Sequence, residues 1–169
     1  LAISPSDIRS RLRGIGRVIF GESGFRACEE GGGDPEHTLP SQVLVSRRGN
    51  PVALSLLFLL VARRAGIELS PVDIPGRLMV GWFGAGGPLY VDCFAGGAFR
   101  TADELRLALR ENDLPDDDTL LGPADTCVTL ARACRVLATQ YAERDDAAHT
   151  RTMLDLATAL AARKRHGRT

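Results

Sequence analysis

The sequence predicts an α+β fold: a small antiparallel sheet packed on a buried central helix, with further helices at both ends. Three observations carry this. An almost unbroken apolar run of helix length follows Gly49-Asn50-Pro51 and closes on Arg63, Arg64 and Gly66. From Ile67 to Phe94 the pattern shortens to three apolar segments, separated by Pro75-Gly76 and by Gly84-Ala85-Gly86-Gly87. Beyond Asp125 two longer segments return to helical spacing, broken at Glu143–Asp146.

The central helix has clear punctuation. Asn50 is a good N-cap, because its side-chain oxygen accepts from a free backbone N–H. Pro51 suits the first turn, where its missing N–H has no partner to lose. Gly66 is a natural stop one residue past the C-cap. Apolar residues fall on every face, which predicts a helix buried all round. The run is too short to span a bilayer, which needs roughly 20 residues.

Upstream, Ser6-Asp7 is placed to cap a first helix. Ile8, Leu12, Ile15 and Ile19 recur at helical spacing, with Arg9, Arg11, Arg13 and Arg17 mostly off that stripe. Gly21–Gly33 reads as a loop anchored by Phe20 and Phe25, with Gly31-Gly32-Gly33 as its flexible tip. Asp34–Pro40 reads as irregular. Ser41 is expected to cap a short helix to Arg48 that buries Val43 and Leu44.

Downstream, Ile67–Ile74, Arg77–Phe83 and Leu89–Phe94 read as three strands of a β-meander. Thr101 is the expected cap of a helix over Ala102–Glu111, with Leu105, Leu107 and Leu109 as its apolar candidates. Leu114–Gly122 is acidic, contains Pro115 and reads as a linker. Asp125–Ala142 and Ala147–Arg163 form an expected antiparallel helical hairpin. The predicted division is a core over residues 1–112 and a C-terminal hairpin over 113–169 packed on it.

Composition narrows the function classes. The chain has 169 residues, 44% hydrophobic and 25% charged, enough for one domain with a real core. Lys+Arg and Asp+Glu are both 21, so no global field draws nucleic acid or an anionic membrane to it. Arg163-Lys164-Arg165-His166 reads as a solvated basic tail. The start, LAISPSDIRS, has neither an initiator Met nor the apolar segment of a signal peptide, which reads as a processed chain or a fragment. Cys127 and Cys134 share a helix face too far apart to bond each other. With Cys28 and Cys93 they read as small core residues in a reducing cytoplasm. No HxxxH or CxxC spacing points to a metal, and no cofactor is expected.

Three blocks in order carry a resemblance: PEHTLPSQVLVSRRGNPVALSLLFLLVARRAGIEL, then PGRLMV, then VDCFAGG. They resemble the SirB-type branch of the transglutaminase-like superfamily, whose core is of the papain-like cysteine protease kind. IGRVIFGESGF fits the segment that precedes these blocks, and the resemblance covers roughly residues 15–109. The C-terminal helices are similar to the tetratricopeptide-like tail that often follows. What the resemblance implies is a Cys-His-Asp triad: a thiolate at the N-terminus of the central helix, a histidine base on one strand and an orienting aspartate on the next.

Carried over residue by residue, the nucleophile position falls at Pro51, which has no nucleophile. Many members of the branch have Gly-x-Pro at this point. The histidine position in Pro75-Gly76-Arg77 is Arg77, which stays protonated and cannot act as a base. The aspartate position is Asp92. The resemblance therefore implies that the thiol mechanism is absent, and the leading expectation is a non-catalytic binding or scaffold module. Arg77 and Asp92 are expected to face each other, either as a structural ion pair or as part of a vacated cleft. That cleft would be lined by Arg77, Asn50, Pro51 and His37 and would take a protein or small-molecule ligand such as a carboxylate or phosphate. The rival expectation is an acyl-transfer or peptidase-like enzyme using Cys93 beside Asp92, or a non-thiol site around Asp92 and Arg77. The branch commonly has proline after the aspartate, so Cys93 is a departure. His37 is either a surface loop residue or a surrogate base.

Overall fold

The computed structural model describes residues 5–28, 33–115 and 117–166. Gly31 and Gly32 of the expected loop tip lie outside them, and in the basic tail Arg163–His166 side chains are described only at Arg163. The first helix, α1, is Pro5–Gly16 and runs directly into a π-helical turn, Arg17–Glu22. Ile8, Leu12, Ile15 and Ile19 are all buried, as their spacing requires. Ser6 and Asp7 lie inside the first turn rather than at its cap. The π turn extends the helix past Gly21, where the sequence suggested a loop. Phe20 stacks on Phe58 at 6.2 Å and Phe25 is buried, so both phenylalanines do anchor this segment.

A two-residue strand β1 (Arg26–Ala27) pairs in parallel with β2 (Arg48–Gly49). Neither is long enough to show a period. Between them, a 3-10 turn at Pro35–His37 leads into α2 (Pro40–Ser46). Leu39, not Ser41, holds the N-cap position of α2, and Pro40 takes the first turn. Val43 is buried, but Leu44 is exposed, because a helix this short presents only one stripe to the core.

The central helix α3 is Pro51–Arg64. The Asn50 side chain accepts from the Ala53 amide at 2.9 Å, which is the expected cap. At the other end the Gly66 amide donates to Arg63 O and the Ile67 amide to Ala62 O, with Gly66 at φ +72°. This pair of bonds is the Schellman arrangement that ends a helix at a left-handed glycine. Leu54 and Phe58 are fully buried. The helix is not buried all round, however: Leu60 is exposed and Leu56, Leu57 and Leu59 are only half-buried. One side of α3 faces solvent despite its composition.

The main sheet is a meander in the order β3-β4-β5-β6, antiparallel throughout. Its strands are β3 (Ser70–Ile74), β4 (Arg77–Trp82), β5 (Leu89–Asp92) and β6 (Ala98–Arg100). The first begins three residues later than the sequence suggested, because the Ile67 amide is committed to closing α3. The fourth was not expected and has only three residues. Alternation along the strands separates two faces. Val80, Val91 and Cys93 join Phe58 and Leu54 on the α3 side. Val72, Ile74, Met79 and Tyr90 face the other way and join Leu105 and Leu109 of α4 (Ala102–Glu111).

Helix α4 starts with a full capping box: Thr101 Oγ1 accepts from the Glu104 amide, and Glu104 accepts from the Thr101 amide. Leu107 points outward, since only the Leu105–Leu109 pair lies on the buried stripe. The acidic linker contains a 3-10 turn, Asp118–Leu121, held where the Tyr90 hydroxyl donates to Leu121 O at 3.0 Å. Asp125 caps α5 (Thr126–Ala142), which turns back into α6 (Ala147–His166). Cys28 and Cys93 are buried, but Cys127 and Cys134 are only half-buried on α5.

Candidate functional site

Asp92 closes β5 and is 1% exposed. Its Oδ2 accepts from Arg77 Nη1 at 2.8 Å, and its Oδ1 accepts from the Ala95 amide at 3.1 Å. Arg77 opens β4, and its guanidinium also lies 5.8 Å from the centre of the Phe94 ring. A second cation, Arg100 at the end of β6, places Nε 3.7 Å from Asp92 Oδ2. That is an ion-pair distance but longer than a hydrogen bond. One buried carboxylate is thus shared by two arginines.

The register explains the grouping. Ile74 pairs with Arg77, Val72 with Met79 and Tyr90 with Arg100, so these residues and Asp92 all fall on the sheet face covered by α4. Ile74, Arg77, Met79, Asp92 and Arg100 line an open cavity of about 770 Å³ between the sheet and α4. Leu105, Leu109 and Leu114 supply apolar wall, while Glu104 and Glu111 contribute acidic groups. The Thr101 amide, and then the Thr101 hydroxyl, hold the Glu104 carboxyl below its usual range, with a smaller pull from Arg100.

Asn50, Pro51 and His37 do not line this cavity. They sit at the N-terminus of α3, where α5 covers them. Asn50 Nδ2 donates to Thr38 Oγ1 at 2.7 Å, and Thr38 Oγ1 donates to Gln140 Oε1 of α5 at 2.8 Å. The Asn50 amide donates to His37 O at 2.8 Å. Val52, next to Pro51, shares a cluster with Leu78 of β4 and Ala133 of α5. Pro51 and Arg77 are therefore each one residue from a common contact. His37 is half-buried, and its Nδ1 has no hydrogen-bond partner. Asp34, in the same segment, pairs with Arg144 at 2.7 Å.

Cys93 lies on the α3 face of the sheet, opposite to Asp92, and is completely buried. Burial pushes its thiol far up, the Ser55 hydroxyl offsets this in part, and the Asp92 carboxylate adds to the rise. The Ser55 hydroxyl itself donates to Leu78 O at 2.7 Å. Neither access nor ionisation favours a thiolate at Cys93. Among the described residues, no group of three or more His, Cys, Asp or Glu gathers as metal ligands would. No helix among them is long and apolar enough to cross a membrane.

The sequence profile described as the transglutaminase-like superfamily matches residues 2–135. The chain belongs to the transglutaminase-like superfamily. The match runs through the sheet and α4 into α5. Among curated relatives, the UPF0162 protein of Xylella fastidiosa strain Temecula1 is 34% identical over 141 residues, covering 80% of this chain. The UPF0162 protein of Vibrio cholerae is 30% identical over 96 residues, covering 56% of this chain and 35% of its own. Human F-box only protein 21 is 38% identical over 71 residues, 37% of this chain and 11% of that one. The chain spans about half the length of the Xylella relative, at 50%. No solved structure matches it.

Arg100 and Glu104 at the cavity, and Thr38 and Gln140 at the head of α3, were not singled out from sequence. Arg100 ends a strand too short to show alternation. Gln140 is one polar residue on a long helix, and only the fold shows which side meets Thr38.

Proposed function

We propose that this chain is a non-catalytic binding or scaffold module of the SirB-type branch, in which the triad is degenerate. The observation that carries this is the 2.8 Å Arg77–Asp92 pair. In the triad such a carboxylate orients a histidine base, but here it is engaged by a guanidinium that does not release a proton near neutral pH. Pro51 at the head of α3 brings no nucleophile, and the burial of Cys93 supports the same reading. The partner is a protein or a small molecule, and neither nucleic acid nor a membrane surface, given 21 basic and 21 acidic residues. A cytoplasmic setting fits four unpaired cysteines. The hairpin α5–α6 serves as a tetratricopeptide-like extension.

The test is turnover. Purified protein incubated with activated esters and with peptide amides should release no more product than its Cys93→Ala variant or buffer. Hydrolysis or acyl transfer that Cys93→Ala abolishes would refute the non-catalytic reading.

A further inference from the structure

We infer that the free edge of β6, flanked by Arg9 and Arg13 of α1, is a docking edge for an extended acidic segment of a partner protein, which adds a strand to the main sheet. The inference rests on the binding reading above and adds the surface and the chemistry of the partner.

The two edges of the sheet differ. At the β3 edge the Ala124 amide donates to Pro71 O at 2.8 Å, and Arg132 Nη1 donates to Ile74 O at 3.1 Å. The other edge is β6, which pairs only with β5. Among the described residues, no hydrogen bond from outside the sheet reaches the backbone of Ala98–Arg100. An edge strand turns alternate N–H and C=O groups outward, where another strand can pair with them.

Charge selects the segment. Arg9 and Arg13 lie about one helical turn apart, with guanidinium carbons 5.0 and 5.8 Å from the centre of the Phe99 ring. Both are exposed. Among the described residues neither has a carboxylate within ion-pair distance, whereas Arg17 pairs with Glu22 and Arg11 donates to Ala65 O. Asp7, the acidic residue of α1, is two positions from Arg9 and so on the far side of the helix. A residue placed opposite Phe99 on an added strand would have its Cβ about 5 Å from that of Phe99. A glutamate there brings its carboxylate within reach of the guanidiniums over that ring. The opposite face of β6 carries both signs, Arg100 against Asp92 and Glu104, and selects no charge. The segment that fits therefore alternates acidic and neutral residues. The β6 edge of a second copy does not fit, because it brings its own Arg9 and Arg13 to the same place.

Fluorescence anisotropy of the full chain with a fluorescein-labelled peptide of alternating Glu and Thr tests this. The peptide should saturate at one per chain, and added salt should weaken it. The same peptide with Lys for Glu should bind at least tenfold more weakly. Arg9→Gln/Arg13→Gln should weaken the acidic peptide roughly tenfold or more, with Tm within a few degrees of the unsubstituted chain. Arg135→Gln/Arg151→Gln, on the hairpin, should leave its affinity unchanged. Strand pairing has its own readout. N-methylating one alternate set of the peptide's amides should abolish binding, and at least one amide of Ala98–Arg100 should exchange its hydrogen at least tenfold more slowly in the complex. Binding that survives N-methylation of either set would be charge attraction alone and would overturn the inference. So would unchanged affinity in Arg9→Gln/Arg13→Gln, or no binding of the acidic peptide. A dimer that Arg9→Gln/Arg13→Gln strengthens would give the edge to a second copy and would overturn it as well. Failure here with no hydrolytic activity leaves the binding module standing with another partner. Thiol-dependent hydrolysis removes that reading without altering the titration.

Discussion

The Thr38 hydroxyl donates to the Gln140 side chain at 2.8 Å and accepts from Asn50 at 2.7 Å, joining the head of the central helix to the C-terminal hairpin. All three side chains are buried. Thr38 is common to both bonds, so the chain of bonds acts as one unit linking α5 to the cap of α3.

Thr38→Val keeps the volume and removes both bonds. It should cost about 2 kcal/mol, since two buried polar groups lose a partner together. Asn50→Ala should cost at least about 1 kcal/mol through the lost cap alone. Combining Thr38→Val with Gln140→Met should cost less than the sum of the single changes, because the shared bond is lost only once. Urea unfolding of the four proteins checks this. Strict additivity would mean that the network contributes nothing beyond its separate parts.

Arg77→Ala leaves Asp92 buried with the Ala95 amide and Arg100 at 3.7 Å. Arg77 is partly exposed, which screens the pair, so the loss should be about 2 kcal/mol rather than the larger value of a fully buried ion pair. For a chain of this size that is roughly a 5 °C drop in Tm. Arg77→Ala/Asp92→Ala should recover part of it by removing the unpaired carboxylate. If Tm stays unchanged while ligand affinity falls, Arg77 serves recognition and not the fold.

Native alkylation should separate the cysteines. Iodoacetamide at mildly alkaline pH should modify Cys127 or Cys134 on α5 and spare Cys93 and Cys28, whose thiols burial both shields and pushes up. Burial also raises the Cys134 thiol, so its labelling should be slow. Peptide mass spectrometry reads the outcome. Rapid modification of Cys93 would place a reactive thiol where the fold buries one.

The central helix was legible because its limits are chemical: an Asn-Pro start, and a glycine whose left-handed conformation ends it. Its neighbours were legible to the extent that a period had room to show. Ile8, Leu12 and Ile15 of α1 and Ile19 of the π turn repeat cleanly, and all four are buried. The three residues of β6 carry no period, so Arg100 could not be joined to Asp92. Leu107 was misread because three alternating leucines fit a core stripe by composition, whereas helical geometry buries only Leu105 and Leu109. The Arg77–Asp92 pairing followed from the family resemblance. Which cavity the pair faces depends on how α4 folds back across the sheet, a long-range fact that no local pattern holds.

Acid should loosen the contact between the segment before α2 and the hairpin. The Glu36 amide, and then Arg144, hold the Asp34 carboxyl below its usual range. The His149 amide, and then the His149 ring, do the same for Asp146 in the turn between α5 and α6. A lowered folded-state value means that, as pH falls, the unfolded chain takes up the proton first. The stabilisation is therefore complete above the ordinary carboxylate value of about 4 and is lost as pH drops through the lowered ones. Both groups are partly exposed, so the effect of each is small and screened by salt. Unfolding free energy measured from pH 6 to pH 2.5 should fall on the acid side. Asp34→Asn and Asp146→Asn should each make that fall shallower, by removing a titrating group while leaving an oxygen for the amide. An identical acid limb in both variants would assign the pH dependence to other carboxylates.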